Sequence, residues 1–143
     1  MTAMLIDESP VAAHAAQHSP ASRWGGRFLT GLTILFLTFD AVAKIAGAKQ
    51  AVEGSVQLGY PASTVVPIGL VLLACVILYA VPRTAPLGAV LLTGYLGGAI
   101  ATHVRVANPL FSHVLFPTYV AAILWAGLYL RDPRVRALVR SAR

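Results

Sequence analysis

The chain has 143 residues, 57% of them hydrophobic and only 11% charged. A soluble domain carries about 25% charged residues, so this chain has too few ionisable side chains to coat a water-facing surface, whereas one membrane domain fits its length with no room for a second, soluble one. The net charge of +6 suggests nucleic acid at first sight, but membrane topology and contact with anionic lipid account for the same charges more simply, and nucleic acid is not an expected partner.

Residues 1–22 contain no Lys or Arg and no apolar core of signal-peptide length. They are therefore not read as a cleaved export signal but, being rich in Ala, Ser, Pro and His, as a disordered cytoplasmic tail. The transmembrane domain is expected over 23–131, with spans at about 27–46, 64–82, 85–103 and 113–130. The uncharged stretch of the first span, Phe28 to Phe39, covers roughly 18 Å of a hydrocarbon core about 30 Å thick. That helix has to continue through Asp40 and Lys44, which then sit at membrane depth, four residues apart on one face. The pair is either a packing device that neutralises itself or part of a ligand or proton site.

The long link over 47–63 places Ala48, Ala51, Val52, Ser55 and Val56 on one helical face and Lys49, Gln50, Glu53 and Gln57 on the other. This pattern predicts a short amphipathic helix at the interface, with a plain loop as the alternative, ended by Gly59 and Pro61. The second span holds the lone cysteine, Cys75, read as a small core residue. Pro82 and Pro86 bracket a tight turn into the third span, where Gly94, Gly98 and Thr102 form a small-residue face expected to pack inside the bundle, or against a second copy. The fourth span closes with Arg131, Asp132 and Pro133, and 132–143 is read as a basic cytoplasmic tail. Short links make successive spans antiparallel neighbours. The expected fold is all-α, an up-down four-helix transmembrane bundle with a short amphipathic helix or loop between helices 1 and 2.

Basic residues divide unevenly between the two ends. Arg23, Arg27, Arg83, Arg131, Arg134, Arg136, Arg140 and Arg143 belong with the termini; Lys44, Lys49 and Arg105 belong opposite. The positive-inside rule then places both termini in the cytoplasm. On the outer side, topology gathers Asp40, Lys44, Glu53, His103, Arg105 and His113, which are the candidate ligand-binding residues of one polar pocket. Two His and two carboxylates are metal ligands in kind, but they lack any tight ligand spacing and no metal is expected. Ser112 beside His113 is adjacency and not triad geometry. An amphipathic small molecule such as a quinone suits His and Tyr donors beside apolar walls.

The stretches FLTFDAVAKIAG, VQLGYP, LLTGYLGGAIATHVR and PLFSHVLFPTYVAAILWAGLYLRDPRVRAL resemble the DoxX-like family of small bacterial membrane proteins over roughly residues 28–140. Lys44 is similar to the family's lysine near the end of the first span, Gly59 and Pro61 to its glycine-x-proline, and His103 and Arg105 to its THVR motif. The resemblance implies a four-helix protein of the bacterial inner membrane within the broader DoxX and DoxD group, whose members are linked to thiosulfate and quinone oxidation or other redox partners. It carries no catalytic residue onto these positions, and no reaction or cofactor is assigned. The function expected first is an accessory or membrane-anchoring subunit of a redox system, docking a soluble or membrane redox partner. The second is a binder of a quinone-like amphipathic molecule supporting electron or proton transfer. The third is an oligomeric transporter of small solutes.

Overall fold

The computed structural model describes residues 20–141. The disordered stretch expected over 1–22 thus lies outside the described residues except at its end, where the first helix begins. Helices α1 (Pro20–Ile45), α2 (Lys49–Gln57), α3 (Val65–Ala80), α4 (Ala85–Arg105), α5 (Phe116–Arg131) and α6 (Pro133–Ser141) follow in order, with a 3₁₀ turn at Ala62–Thr64 and a π turn at Leu110–Val114. Four segments are long and apolar enough to cross a membrane: Ser22–Ile45, Ala62–Ala80, Ala85–Arg105 and Leu110–Arg131. The expected all-α four-helix transmembrane bundle is the fold found, and the link after α1 is the short helix α2 rather than a plain loop.

Helix α1 packs on α3 and α5, and α4 packs on the same two, so α1 and α4 face each other across the bundle. Leu37, Ala41, Leu72, Val76, Tyr79, Leu92, Leu124 and Leu128 fill the space between them. Phe28, Leu35, Phe39, Leu70, Ile77 and Val90 point outward, as lipid-facing side chains do. Lipid tails are as apolar as the core, so close fit rather than the hydrophobic effect holds such helices together. Glycines supply that fit. A methyl group on Gly26 would meet Leu130 Cβ at 2.8 Å, and one on Gly127 would meet the Thr30 backbone at 3.0 Å, which seats α1 on α5. A methyl group on Gly69 would meet Lys44 Cβ at 2.8 Å between α3 and α1, and one on Gly88 would collide with the Tyr79 backbone between α4 and α3.

The small-residue face expected to pack inside the bundle does not do so. A methyl group on Gly94, Gly97 or Gly98 would meet nothing within 4 Å, and of that face only Thr102 is buried. Sequence spacing marks a smooth strip on a helix but not whether a neighbour lies against it. Here α4 turns Gly88 to α3 and Thr93 to α5, where Thr93 accepts a 2.9 Å hydrogen bond from Trp125 Nε1, and the upper glycines fall outside both contacts.

Three chain reversals share one device. Gly47 and Gly59 adopt φ of +65° and +85°, a region with little strain for glycine alone, and Ala107 takes φ of +54°. In each case the next amide reaches back to the final turn: Ala48 to Ala43 O, Tyr60 to Ser55 O and Asn108 to His103 O, at 2.9, 3.1 and 3.1 Å. The backbone of Tyr60 and of Asn108 is thereby fixed to the preceding helix end.

At the terminus end, arginines from α5 and α6 bond to one carbonyl in the last turn of α3 and one in the turn that follows it. Arg131 Nη2 donates to Tyr79 O at 2.9 Å with its guanidinium 5.2 Å from the Tyr79 ring centroid, and Arg134 donates to Pro82 O. Tyr79 is fully buried and its hydroxyl donates to Leu124 O at 2.9 Å. Residues 133–141 of the basic C-terminal stretch form α6, for which Asp132 is the N-cap and Pro133 the first residue. Asp132 Oδ1 accepts the Arg134 amide at 2.9 Å and Oδ2 accepts Arg134 Nη2 at 2.9 Å.

The side-chain hydrogen bond from Arg134 holds the Asp132 carboxyl below the usual carboxylate range. Because the folded-state value is depressed, the cap contributes fully above the ordinary carboxylate value, near 4, and is lost as pH falls through the folded-state value. Acidification below about pH 4 is therefore expected to fray α6 before the bundle, seen as faster amide exchange confined to that helix. Asp132→Ala should remove the pH dependence and cost about 1 kcal/mol. Exchange in α6 that is insensitive to both changes would contradict this.

Candidate functional site

Across the diagonal from α1 to α4, at the end away from the termini, the bundle encloses a cavity of about 480 Å³. Its position follows from the packing. The short Val81–Thr84 turn and Gly88 hold α3 tight on α4 at the terminus end, and Gly69 holds α3 on α1, while Gly94 and Gly98 present no side chain to fill the space higher on α4. Beneath the cavity, Leu72, Leu92 and Leu124 are fully buried and close the bundle.

The walls divide by polarity. Leu37, Leu96 and Val120 line the apolar part, with Phe36 and Phe116 closing the α1–α5 side in an edge-on pair, centroids 5.7 Å apart and planes at 68°. Asp40, Lys44, Ser55, Tyr60, Tyr95, Thr102 and His103 line the polar part. Asp40 and Lys44, one turn apart on α1, form an ion pair through Oδ1. The base of the Lys44 side chain lies against Gly69 of α3. The Asp40 carboxylate lines the cavity with one of its oxygens, Oδ1, engaged by Lys44.

On the opposite wall, Thr102 Oγ1 donates to Gly98 O at 2.9 Å, which makes the Tyr60 hydroxyl the donor in its 2.8 Å contact with Thr102. His103 Nδ1 takes the Asn108 side-chain amide at 2.8 Å. With the amide donating, the imidazole proton sits on Nε2, which is then a donor for an occupant. Tyr95 lines the same wall. The cavity therefore offers several hydrogen-bond donors and a carboxylate above an apolar floor, a combination suited to a small molecule with a polar head and an apolar body.

The six residues named from the sequence separate in three dimensions. Asp40, Lys44 and His103 line the cavity together. Arg105 belongs to its roof: Nη2 donates to Leu58 O at 2.7 Å and lies 3.0 Å from the place a Gly59 methyl group would occupy. His113 sits on the exposed π turn, its ring edge-on to His103 with centroids 5.8 Å apart, and its Nδ1 is 2.8 Å from Ser112 Oγ. Glu53 stands apart, exposed and 3.8 Å from Lys49. Ser55 is the buried residue of α2, and two residues along a helix is roughly 200°, so Glu53 faces away from the bundle. Among the described residues, no group of three or more His, Cys, Asp or Glu is arranged to hold a metal ion.

Sequence reasoning did not single out Tyr60, Tyr95, Ser55, Phe36 or Phe116 as cavity residues. A signal for Tyr95 was present, since it lies seven residues before Thr102, two turns along the same face. Phe36 is one turn before Asp40 by the same rule. Phe116 and Ser55 belong to segments that topology already sets at this end, but whether they reach the cavity depends on how α5 and α2 are rotated about their axes, which spacing does not give.

A family model for the DoxX-like family matches residues 28–127, a span that contains every residue lining the cavity. No curated protein and no solved structure shows significant similarity to the chain.

Proposed function

The chain belongs to the DoxX-like family, and from that premise and the cavity we propose that it binds one small amphipathic molecule of the quinone type and serves a redox system as an accessory membrane protein. The observation that carries the reading is the 480 Å³ cavity with its polar and apolar halves. A carbonyl head would accept hydrogen bonds from His103 Nε2 and Tyr95 while the Asp40–Lys44 pair sets the field around it, and an apolar body would rest against Phe36, Leu96 and Val120. The solid layer of Leu72, Leu92 and Leu124 below favours binding over passage through the bundle. The excess of arginine at the terminus end supports a topology with both termini in the cytoplasm of a bacterium and the cavity in the outer half of its inner membrane.

Protein purified in mild detergent and extracted with organic solvent is expected to yield one amphipathic molecule per chain by mass spectrometry. His103→Ala is expected to bind it about tenfold more weakly, the value of one hydrogen bond to a well-placed donor. Wild-type protein that yields only bulk lipid would overturn the reading, and a soluble enzyme that co-purifies instead would favour partner docking.

A further inference from the structure

Two observations about the cavity walls bear on how an occupant arrives. Toward water, the cavity is roofed and stapled. Leu58 and Tyr60 line it from the α2 side, and both are tied to α4: Arg105 donates to Leu58 O at 2.7 Å, and Tyr60 meets Thr102 at 2.8 Å. Gly59, between them, is pressed against the Arg105 guanidinium. Toward lipid, two residues of the α4 wall have no side chain. Gly94 and Gly98 line the cavity and are also exposed on the outer surface of the bundle, with nothing within 4 Å of where a methyl group would stand. They lie about 14 and 20 Å along α4, a helix about 31 Å long, which is hydrocarbon depth.

Resting on the binding reading above, we infer that the cavity is filled sideways from the bilayer, by a lipid-dissolved molecule that inserts its compact polar head over Gly94 and Gly98 and leaves a long apolar tail among the acyl chains. The volume limits the head and the first part of the body, and the tail is unlimited because it never enters. A water-soluble metabolite would meet the stapled roof, and a molecule enclosed on all sides could not carry a long tail.

The test compares two benzoquinone probes with the same head, one bearing a single isoprene tail and one bearing ten, in nanodiscs. Binding is read by quenching of Trp125 in a Trp24→Phe background and expressed as mole fraction in the bilayer. Both probes are expected to bind wild-type protein, competing for one site with affinities within about threefold. Gly98→Leu is expected to reject the long-tailed probe at least tenfold while still taking the short-tailed one, whose binding also reports that the variant is folded. Arg105→Ala, which loosens the roof, is expected to leave the long-to-short ratio unchanged. If only the short-tailed probe binds wild type, or if Gly98→Leu affects both equally, or if Arg105→Ala raises long-tail affinity, the lateral route is wrong although the binding reading stands. If neither probe saturates, both fall.

Discussion

Gly88→Ala is expected to disrupt the bundle, whereas Gly94→Ala or Gly98→Ala, on the same helix, is expected to stabilise it. A methyl group on Gly88 would fall within the van der Waals envelope of Tyr79 N and Cα and of Leu78 C. These are backbone atoms of α3 one tight turn away, and they cannot swing aside as the end of a side chain would. Relief requires α3 and α4 to separate, which unseats fully buried Tyr79 and its hydrogen bond to Leu124 O. The cost is put at about 3 kcal/mol or more, at the upper end for overpacked cores. At Gly94 and Gly98 the new methyl group meets nothing, so the remaining effect is the gain of roughly 0.5–1 kcal/mol from replacing glycine inside a helix. Reversible unfolding in mixed micelles measures all three. Equal destabilisation at positions 88 and 98 would mean that the upper face of α4 is covered, which rules out the side opening proposed for the cavity.

Asp40→Asn and Lys44→Gln are each expected to destabilise by about 3 kcal/mol, and the double variant by much less than their sum. The pair spans α1 at the cavity, with side-chain exposures of 37% for Asp40 and 16% for Lys44. Removing one partner leaves an uncompensated charge in a poorly hydrated site, which is costlier than the pair's own net contribution. Removing both leaves two neutral side chains of similar shape. The resulting double-mutant cycle measures the coupling directly. Ligand retention then distinguishes structure from function: if the charges hold an occupant, the double variant folds and binds it weakly, and if they only balance one another it folds and binds normally. Additive losses in the cycle would show that the two groups are not coupled in the membrane.

The parts of the fold that were legible in the sequence have local causes. Four apolar runs and the proline-bracketed turn between Val81 and Ala85 define spans and their antiparallel order. Spacing of four puts Asp40 and Lys44 on one face, and the alternation of basic residues sorts the two ends. Even the α2 helix is visible in its two-faced pattern, with Ser55 on the apolar face and Glu53 on the polar one, although Glu53 was still counted into the pocket while its face turns away from the bundle. The candidate site was half legible for the same reason. Topology correctly brings Asp40, Lys44 and His103 to one end, but Arg105 and His113 reach only the roof and the outer turn, because the direction of a side chain depends on how each helix is rotated about its axis.

The sequence by itself determined that this is a four-helix membrane protein with a polar end opposite its termini, since hydropathy, charge and turn residues act over a few positions and survive in any packing. Only the tertiary structure decided which glycines are pressed between helices and which border empty space. Gly88 and Gly98 are the same residue in the same helix, and what separates them is the distance to atoms far away in the chain: Tyr79 lies against the first, and empty space at the edge of the cavity lies beside the second.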